Sequence, residues 1–311
     1  MDPDFLDWAL TDFSGDVAAD AVYDGPFCML SAVDNRCYTR MLYDVLDHAP
    51  KHDDIRAFLG RLPTALQARH LTLLGLTTDG SGLYPVPLGE VCGNVPHQIC
   101  TFHLVAEISQ AVLGAVASAR KRLAAQRPTL RRGRPSTPAA KQAARTKKRL
   151  ETQRAALLAS RYLFVQRHLN KTERKTLWRV SRGLPQLQGL RAIMEQVYAL
   201  FDRRCRTQTA LAKLAKLRRR VQRFPALSDA LKKLFAPTLE KALTFLDDTL
   251  LPATSNAVER GNRRYRKRQK QVYRVRTQAQ IRARLALDLW REAQAEGRQQ
   301  TLAALHRARA G

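Results

Sequence analysis

The chain has no run approaching 18 uninterrupted apolar residues, so no membrane-spanning helix is expected. Its start, "MDPDFLDWALTDFSGD", is acidic where a secretory signal would be basic. Cysteine is scarce: Cys28, Cys37, Cys92, Cys100 and Cys205 are the only five in 311 residues. A sparse, odd-numbered set builds no disulfide framework and fits free thiols in a reducing compartment. The expected location is the cytoplasm. No fixed-period repeat is present.

Acidic residues are what the rear of the chain lacks. Residues 1–110 hold 6 Lys and Arg against 15 Asp and Glu, whereas residues 111–311 hold 48 against 12. The net charges are −9 and +36, together the +27 of the whole chain. A basic surface of that size points to a polyanion, because each neutralised phosphate releases a counterion and adds affinity. Nucleic acid is the expected partner; a ribosome-like structural protein and a basic membrane-surface protein are the rivals. With 45% hydrophobic residues there is enough apolar side chain for one large domain or two ordinary ones.

From Val17 to His48 the β-branched and aromatic residues are broken by Asp24-Gly25-Pro26 and by Asp34-Asn35. That pattern predicts a strand, a turn and a hairpin with Asn35 at its tip, three strands in all. Ile55, Phe58, Leu59, Leu62 and Leu66 then recur at helical spacing behind an Asp-rich start. This helix crosses over to an apolar strand at 71–78, parallel to one of the first set. A short strand at Gln98–Phe102 leads into a helix from His103. Helices rich in Leu, Ala, Arg and Lys fill 111–250, interrupted by a basic segment within 127–150 that includes the loop-like "RPTLRRGRPSTP". A basic helix runs from near Asn256 through "AVERGNRRYRKRQKQ". After a break near Val272–Thr277, a last helix has Ile281, Leu285, Leu289 and Trp290 on one side.

Three carboxylates sit where structure alone gives little reason for them: Asp20 in the first strand, Asp79 at the end of the crossover strand, and Glu259 near the start of the basic helix. Two strand ends and a helix can bring them together. Mg²⁺ prefers hard oxygen ligands and keeps several waters, so a few carboxylates plus phosphate oxygens complete its shell, with Mn²⁺ as a substitute. Two such ions suit in-line displacement at phosphorus. Structural alternatives stand beside each residue. Asp24 and Asp34 are rivals for the first position, though each has a turn to explain it. Asp79 before Gly80 suits a turn, and Asn256 to Glu259 has the spacing of a capping box. Cys92, His97, Cys100 and His103 invite a zinc assignment, but their spacing fits no standard finger. Arg132-Gly133-Arg134-Pro135 has the shape of a minor-groove hook, against the alternative of a solvated basic loop.

On "DAVYDGPFCMLSAVD", "LTTDGSGLYP", "HQICTFH" and "TSNAVERGNRRYRKR" the chain resembles the DDE transposases of bacterial insertion sequences, including the Cys-x-x-His of Mutator-like members. The motifs cover roughly residues 17–110 and 250–290. The resemblance implies an α/β fold, a ribonuclease-H-like mixed sheet interrupted by a large all-α insertion. It implies a remnant leader at 1–16, a first core part at 17–110, the insertion at 111–250 and a core completion at 251–311. Asp20, Asp79 and Glu259 become the metal-binding triad, with Cys100 and His103 in support. Arg260, Arg263, Arg264, Arg266, Lys267, Arg268 and Lys270, together with Arg132 and Arg134, become DNA contacts. The implied activity is metal-dependent cleavage and strand transfer on double-stranded DNA by a homodimer or higher synaptic assembly in the bacterial nucleoid. Such proteins usually carry a helix-turn-helix region before the first strand, where this chain has almost nothing, and Ala21 stands where the family has an acidic residue. A non-catalytic DNA-binding remnant and a structure-specific ribonuclease-H-like nuclease are therefore the alternatives.

Overall fold

The structure is a computed structural model that describes residues 3–222, 232–236, 238–248, 250–271 and 277–294. The chain divides into two compact units, Met1–Cys100 with Asp248–Gly311, and Thr101–Asp247. The first is α/β and the second is helical among its described residues.

The α/β unit is built on β1 (Asp16–Asp24), β2 (Phe27–Asp34), β3 (Arg40–Leu46), β4 (Gly75–Thr78) and β5 (His97–Ile99), in the order β3-β2-β1-β4-β5. The first three are antiparallel neighbours; β4 joins β1 in parallel and β5 joins β4 in parallel. The turns fall where the sequence places them. Gly25, at φ +65°, supplies the left-handed residue between β1 and β2. The helical crossover is α2 (His52–Gln67), preceded by α1 (Pro3–Leu10), and α3 (Pro85–Cys92) lies between β4 and β5. All five apolar residues read at helical spacing in α2 are buried, each contributing about 1.5–3 kcal/mol of gross hydrophobic stabilisation.

Two expectations need correcting here. The apolar run 71–78 is strand only from Gly75, because register with β1 begins at Asp16; before it the Leu74 N–H still bonds to the Gly15 carbonyl at 2.8 Å. β5 stops at Ile99, and the next helix opens at Thr101, two residues before His103. Within the stretch read as a remnant leader, residues 3–10 form α1, with Ala9 and Leu10 buried.

The helical unit contains α4 (Thr101–Ala125), α5 (Pro138–Ala159), α6 (Lys171–Ser181), α7 (Pro185–Leu200), α8 (Thr207–Gln222) and a short α9 (Thr238–Lys241). The basic segment read over 127–150 is loop only to Thr137, whose hydroxyl accepts the Ala140 N–H and caps α5. By length and composition α4 is apolar enough to cross a membrane, contrary to the sequence expectation; polar residues such as His103 and Glu107 break the apolar runs, yet its mean hydropathy still reaches 1.4. Its stripe of Leu104, Ile108, Val112, Val116 and Leu123 is buried.

The chain returns to the α/β unit as α10 (Asn256–Gln271) and α11 (Gln278–Gln294). These cover one face of the sheet: Ala18 and Val33 pack with Ala257 and Val258, while Val22, Met29 and Val45 pack with Tyr265, Ile281 and Leu285. The opposite face, with Val17, Ala19, Leu30 and Ala32, packs on α2 and α3. Trp290 departs from the expected side and is 57% exposed. Residues 281, 285 and 289 lie four positions apart along one stripe, and the position after 289 lies about 100° further round the helix.

The β2–β3 connection is organised by Asp34, 1% exposed, whose carboxylate accepts the Ser14 N–H (2.7 Å) and O–H (2.9 Å) and the N–H groups of Arg36 (2.8 Å) and Cys37 (2.7 Å). Removing it leaves part-buried donors unpaired. Asp34→Ala should lower unfolding free energy by about 3 kcal/mol, read as an earlier urea midpoint with an unchanged slope. A variant as stable as the parent would show that water replaces the carboxylate.

Candidate functional site

Side chains alternate along a strand, so Asp20 shares the face of Ala18 and Val22, the face that carries α10. Across the antiparallel pair it meets Ser31, fully buried, whose hydroxyl has no hydrogen-bond partner among the described residues. Ala19 pairs with Thr78 as the last parallel register position, so Asp20 and Asp79 are the next residues of two adjacent parallel strands. The Asp79 carboxylate accepts the Ser81 N–H at 3.0 Å, so it also shapes the turn after β4.

Glu259 arrives on α10. Its N–H bonds to the Ser255 carbonyl at 3.1 Å, making Ser255 the N-cap and Glu259 the fourth helical residue. The capping-box alternative, which needs Glu259 at the third, does not hold. The segment before this helix is tied to the strands at several points. Thr77 Oγ1 donates to the Pro252 carbonyl (3.2 Å), Asn35 Nδ2 to that of Thr254 (3.0 Å), and the Ser255 N–H to Cys100 Sγ (3.3 Å). Arg36 donates to the Leu250 carbonyl and pairs with the buried Asp16 at 2.8 Å. Burial pushes the Asp16 carboxyl up, against the pull of Arg36.

One residue that sequence reasoning missed joins the parts. Asn262, 4% exposed and one helical turn after Glu259, donates from Nδ2 to Asp20 Oδ2 at 2.7 Å. The other Asp20 oxygen accepts the Ala21 N–H at 2.8 Å. Asn262 Oδ1 is buried with no partner among the described residues. The i, i+3 spacing from Glu259 was the available signal. Arg40 was missed as well: a Cβ at Gly261 would stand 2.7 Å from its guanidinium, so the glycine lets this cation lie against α10.

Negative charge at this end of the sheet is felt by its neighbours. Tyr84 is fully buried, and its phenol is pushed well up by burial first, then by Asp79 and Asp20. Tyr23 is raised by burial, Cys28, Asp79 and Asp20, and the Cys28 thiol is pushed up to about 11 by burial and then by Asp20. Asp24 and Asp34 have structural partners instead: Asp24 lies 3.5 Å from the Tyr265 hydroxyl, and Asp34 holds its loop.

Among the described residues, Asp20, Asp79 and Glu259 do not form a set of ligand atoms all within 4.8 Å of one another, the separation a single small ion would require; Cys100 Sγ and a Glu259 oxygen do lie within that distance. His103 stands in the first turn of α4, in the helical unit. The four-ligand zinc arrangement is not assembled: Cys92 and His97 join no group of three ligands among the described residues, and His97 Nε2 is 2.8 Å from Thr78 Oγ1.

The basic residues occupy the opposite side of α10 from buried Val258, Asn262 and Tyr265. Arg263, Arg264, Arg266 and Lys267 are exposed, and Arg260 stacks over Tyr38 at 4.9 Å. The side chains of Arg268 and Lys270 lie outside the described residues. Arg132 and Arg134 are exposed in the α4–α5 loop of the helical unit.

Placement of Glu259 depends on how closely Leu251 approaches β4. A Cβ at Gly75 would stand 2.4 Å from Leu251 Cδ1 and 3.0 Å from Asp16 Oδ1. Gly75→Ala should destabilise the protein by about 1–3 kcal/mol in urea unfolding; an unchanged midpoint would show that the segment before α10 is loosely held. Comparison of the chain with family models, curated proteins and solved structures returns no match.

Proposed function

We propose that this chain is a DDE-type transposase catalytic protein, a ribonuclease-H-like core interrupted by a helical unit, that cuts and joins double-stranded DNA with Mg²⁺. The observation that carries the reading is the convergence at one end of the sheet. Asp20 and Asp79 follow a shared register on parallel β1 and β4, and the helix of Glu259 packs on the Asp20 face and reaches that carboxylate through Asn262 at 2.7 Å. The mixed sheet, three antiparallel strands extended by two parallel ones through helical connections, supports the fold assignment.

The donor set suits a hard cation. Three carboxylates supply anionic oxygens, and the buried Asn262 Oδ1 offers a further neutral one. Bound there, Mg²⁺ would polarise the scissile phosphate and lower the pKa of an attacking water or 3′-hydroxyl. The chain's own residues position. Asn262 and the Ala21 N–H hold both Asp20 oxygens, the Ser81 N–H orients Asp79, and the start of α10 is pinned to β4 and to Cys100. The exposed cations of α10 contact phosphates, which sets position and not sequence. Duplex DNA as partner, an assembly of two or more copies and a site of action in the cytoplasm belong to the same proposal.

Calorimetric titration with Mn²⁺ tests the centre directly. Binding by the parent should weaken in each of Asp20→Ala, Asp79→Ala and Glu259→Ala with the circular dichroism spectrum retained, and about tenfold in Asn262→Ala. Asp79→Asn should abolish nicking of duplex DNA while affinity for DNA is equal or higher. Absence of site-dependent Mn²⁺ binding, with and without DNA, would reduce the protein to a DNA-binding remnant. Preferential cutting of hybrid or branched substrates would make it a structure-specific nuclease.

A further inference from the structure

The charge is not shared evenly between the two units. The helical unit holds 33 Lys and Arg against 8 Asp and Glu, a net of +25, whereas the α/β unit holds 21 against 19, a net of +2. Nearly all of the polyanion signal in the composition therefore belongs to the unit that does not contain Asp20, Asp79 or Glu259.

Within that unit an open groove of about 1390 Å³ runs between α4, α5 and the α6–α7 turn. Arg122 of α4, Arg145, Lys148 and Arg149 of α5, Arg179 of α6 and Arg182 of the turn line it, and no Asp or Glu does. All six are exposed. Arg145, Lys148 and Arg149 follow an i, i+3, i+4 spacing, one turn of α5 pointing the same way, and none makes an ion pair among the described residues. An ordinary solvated helix face mixes signs; this one gathers a single sign on facing walls, which costs self-repulsion until a counter-charge arrives. Arg182 also lies over the ring of the exposed Trp178 at 5.6 Å, leaving an aromatic surface at the rim.

We propose that this groove is a second DNA-binding site, one that takes the phosphate backbone of duplex DNA without metal and without reading sequence. A concave surface with cations on both walls suits a rod of regularly spaced charge. Apolar residues such as Leu123, Leu150 and Leu187 also line it, but a membrane surface is flat and does not enter a groove between helices. The proposal does not rest on the carboxylate reading.

The test uses the full chain in EDTA, so metal chemistry plays no part. Binding of a fluorescent 30-base-pair duplex is followed by anisotropy over a salt series, for the parent, for Arg145→Gln/Lys148→Gln/Arg149→Gln, and for an equal loss of charge elsewhere in the helical unit, Lys171→Gln/Lys175→Gln/Lys216→Gln. The groove variant should bind at least about tenfold more weakly, with a salt slope lower by about 2–3, near 0.9 for each lost phosphate contact. The control should change its slope by less than about one. Arg145→Lys/Arg149→Lys should restore binding, which separates lost charge from lost folding. Equal losses in groove and control variants would overturn the site. Tighter binding of single-stranded DNA, double-stranded RNA or phosphatidylserine vesicles than of duplex DNA would overturn its assigned ligand. Absence of site-dependent Mn²⁺ binding with the groove-dependent duplex affinity retained would leave this site standing, so the two readings fail separately.

Discussion

A strand buried on both faces can carry a carboxylate only if the groups around it satisfy that carboxylate's oxygens, and β1 places Asp20 under that constraint. Ala18 and Val22, on either side of it on the same face, lie beneath α10 and α11, while Val17 and Ala19 lie against the α2 side. An ionised group left unpaired in such a layer would cost several kcal/mol. The Ala21 N–H and Asn262 Nδ2 supply the partners. Asn262 can do so only if α10 keeps its rotation and height over β1. That placement rests on small, separate contacts, from Leu251 over Gly75 to the Ser255 N–H on Cys100 Sγ. The same anchoring sets where Glu259 stands.

The hairpin loop after β2 is part of this anchoring, which explains two Asp residues that look superfluous in a metal-site reading. Asp34 folds the loop around its own carboxylate, and Asp16 holds Arg36. Asn35 and Arg36 in turn grip the chain at Thr254 and Leu250, more than 200 residues away in sequence. Long-range hydrogen bonds of this kind make the return of the chain to the sheet specific. Hydrophobic burial alone would leave α10 free to slide along its apolar stripe.

Separation of charge between the units has its own physical logic. A near-neutral α/β unit can concentrate several carboxylates at one end of a sheet without a large uniform field of either sign around it. A helical unit of net +25 supplies long-range attraction for a polyanion, and salt screens that attraction over about 8–10 Å. The composition shows the total and its drift along the chain. It does not show that the basic residues of α10 belong with the acidic half.

What was legible in the sequence is what local chemistry decides. Turns at Asp24-Gly25-Pro26 and Asp34-Asn35, the amphipathic period of α2, the parallel crossover and the basic character of α10 all come from residues close together in the chain. Asp20, Asp79 and Glu259 were read from their positions at strand ends and at a helix start, where local pattern alone makes a carboxylate stand out. Tertiary structure decided the rest. The length of β4 was set by where β1 begins, the role of Asp34 by Ser14, and the exposure of Trp290 by which stripe of α11 meets the sheet. Asn262 and Arg40 acquire their meaning only when α10 is laid on the sheet. Their partners Asp20 and Gly261 are more than 200 residues away along the chain, and no sequence period encodes such a meeting.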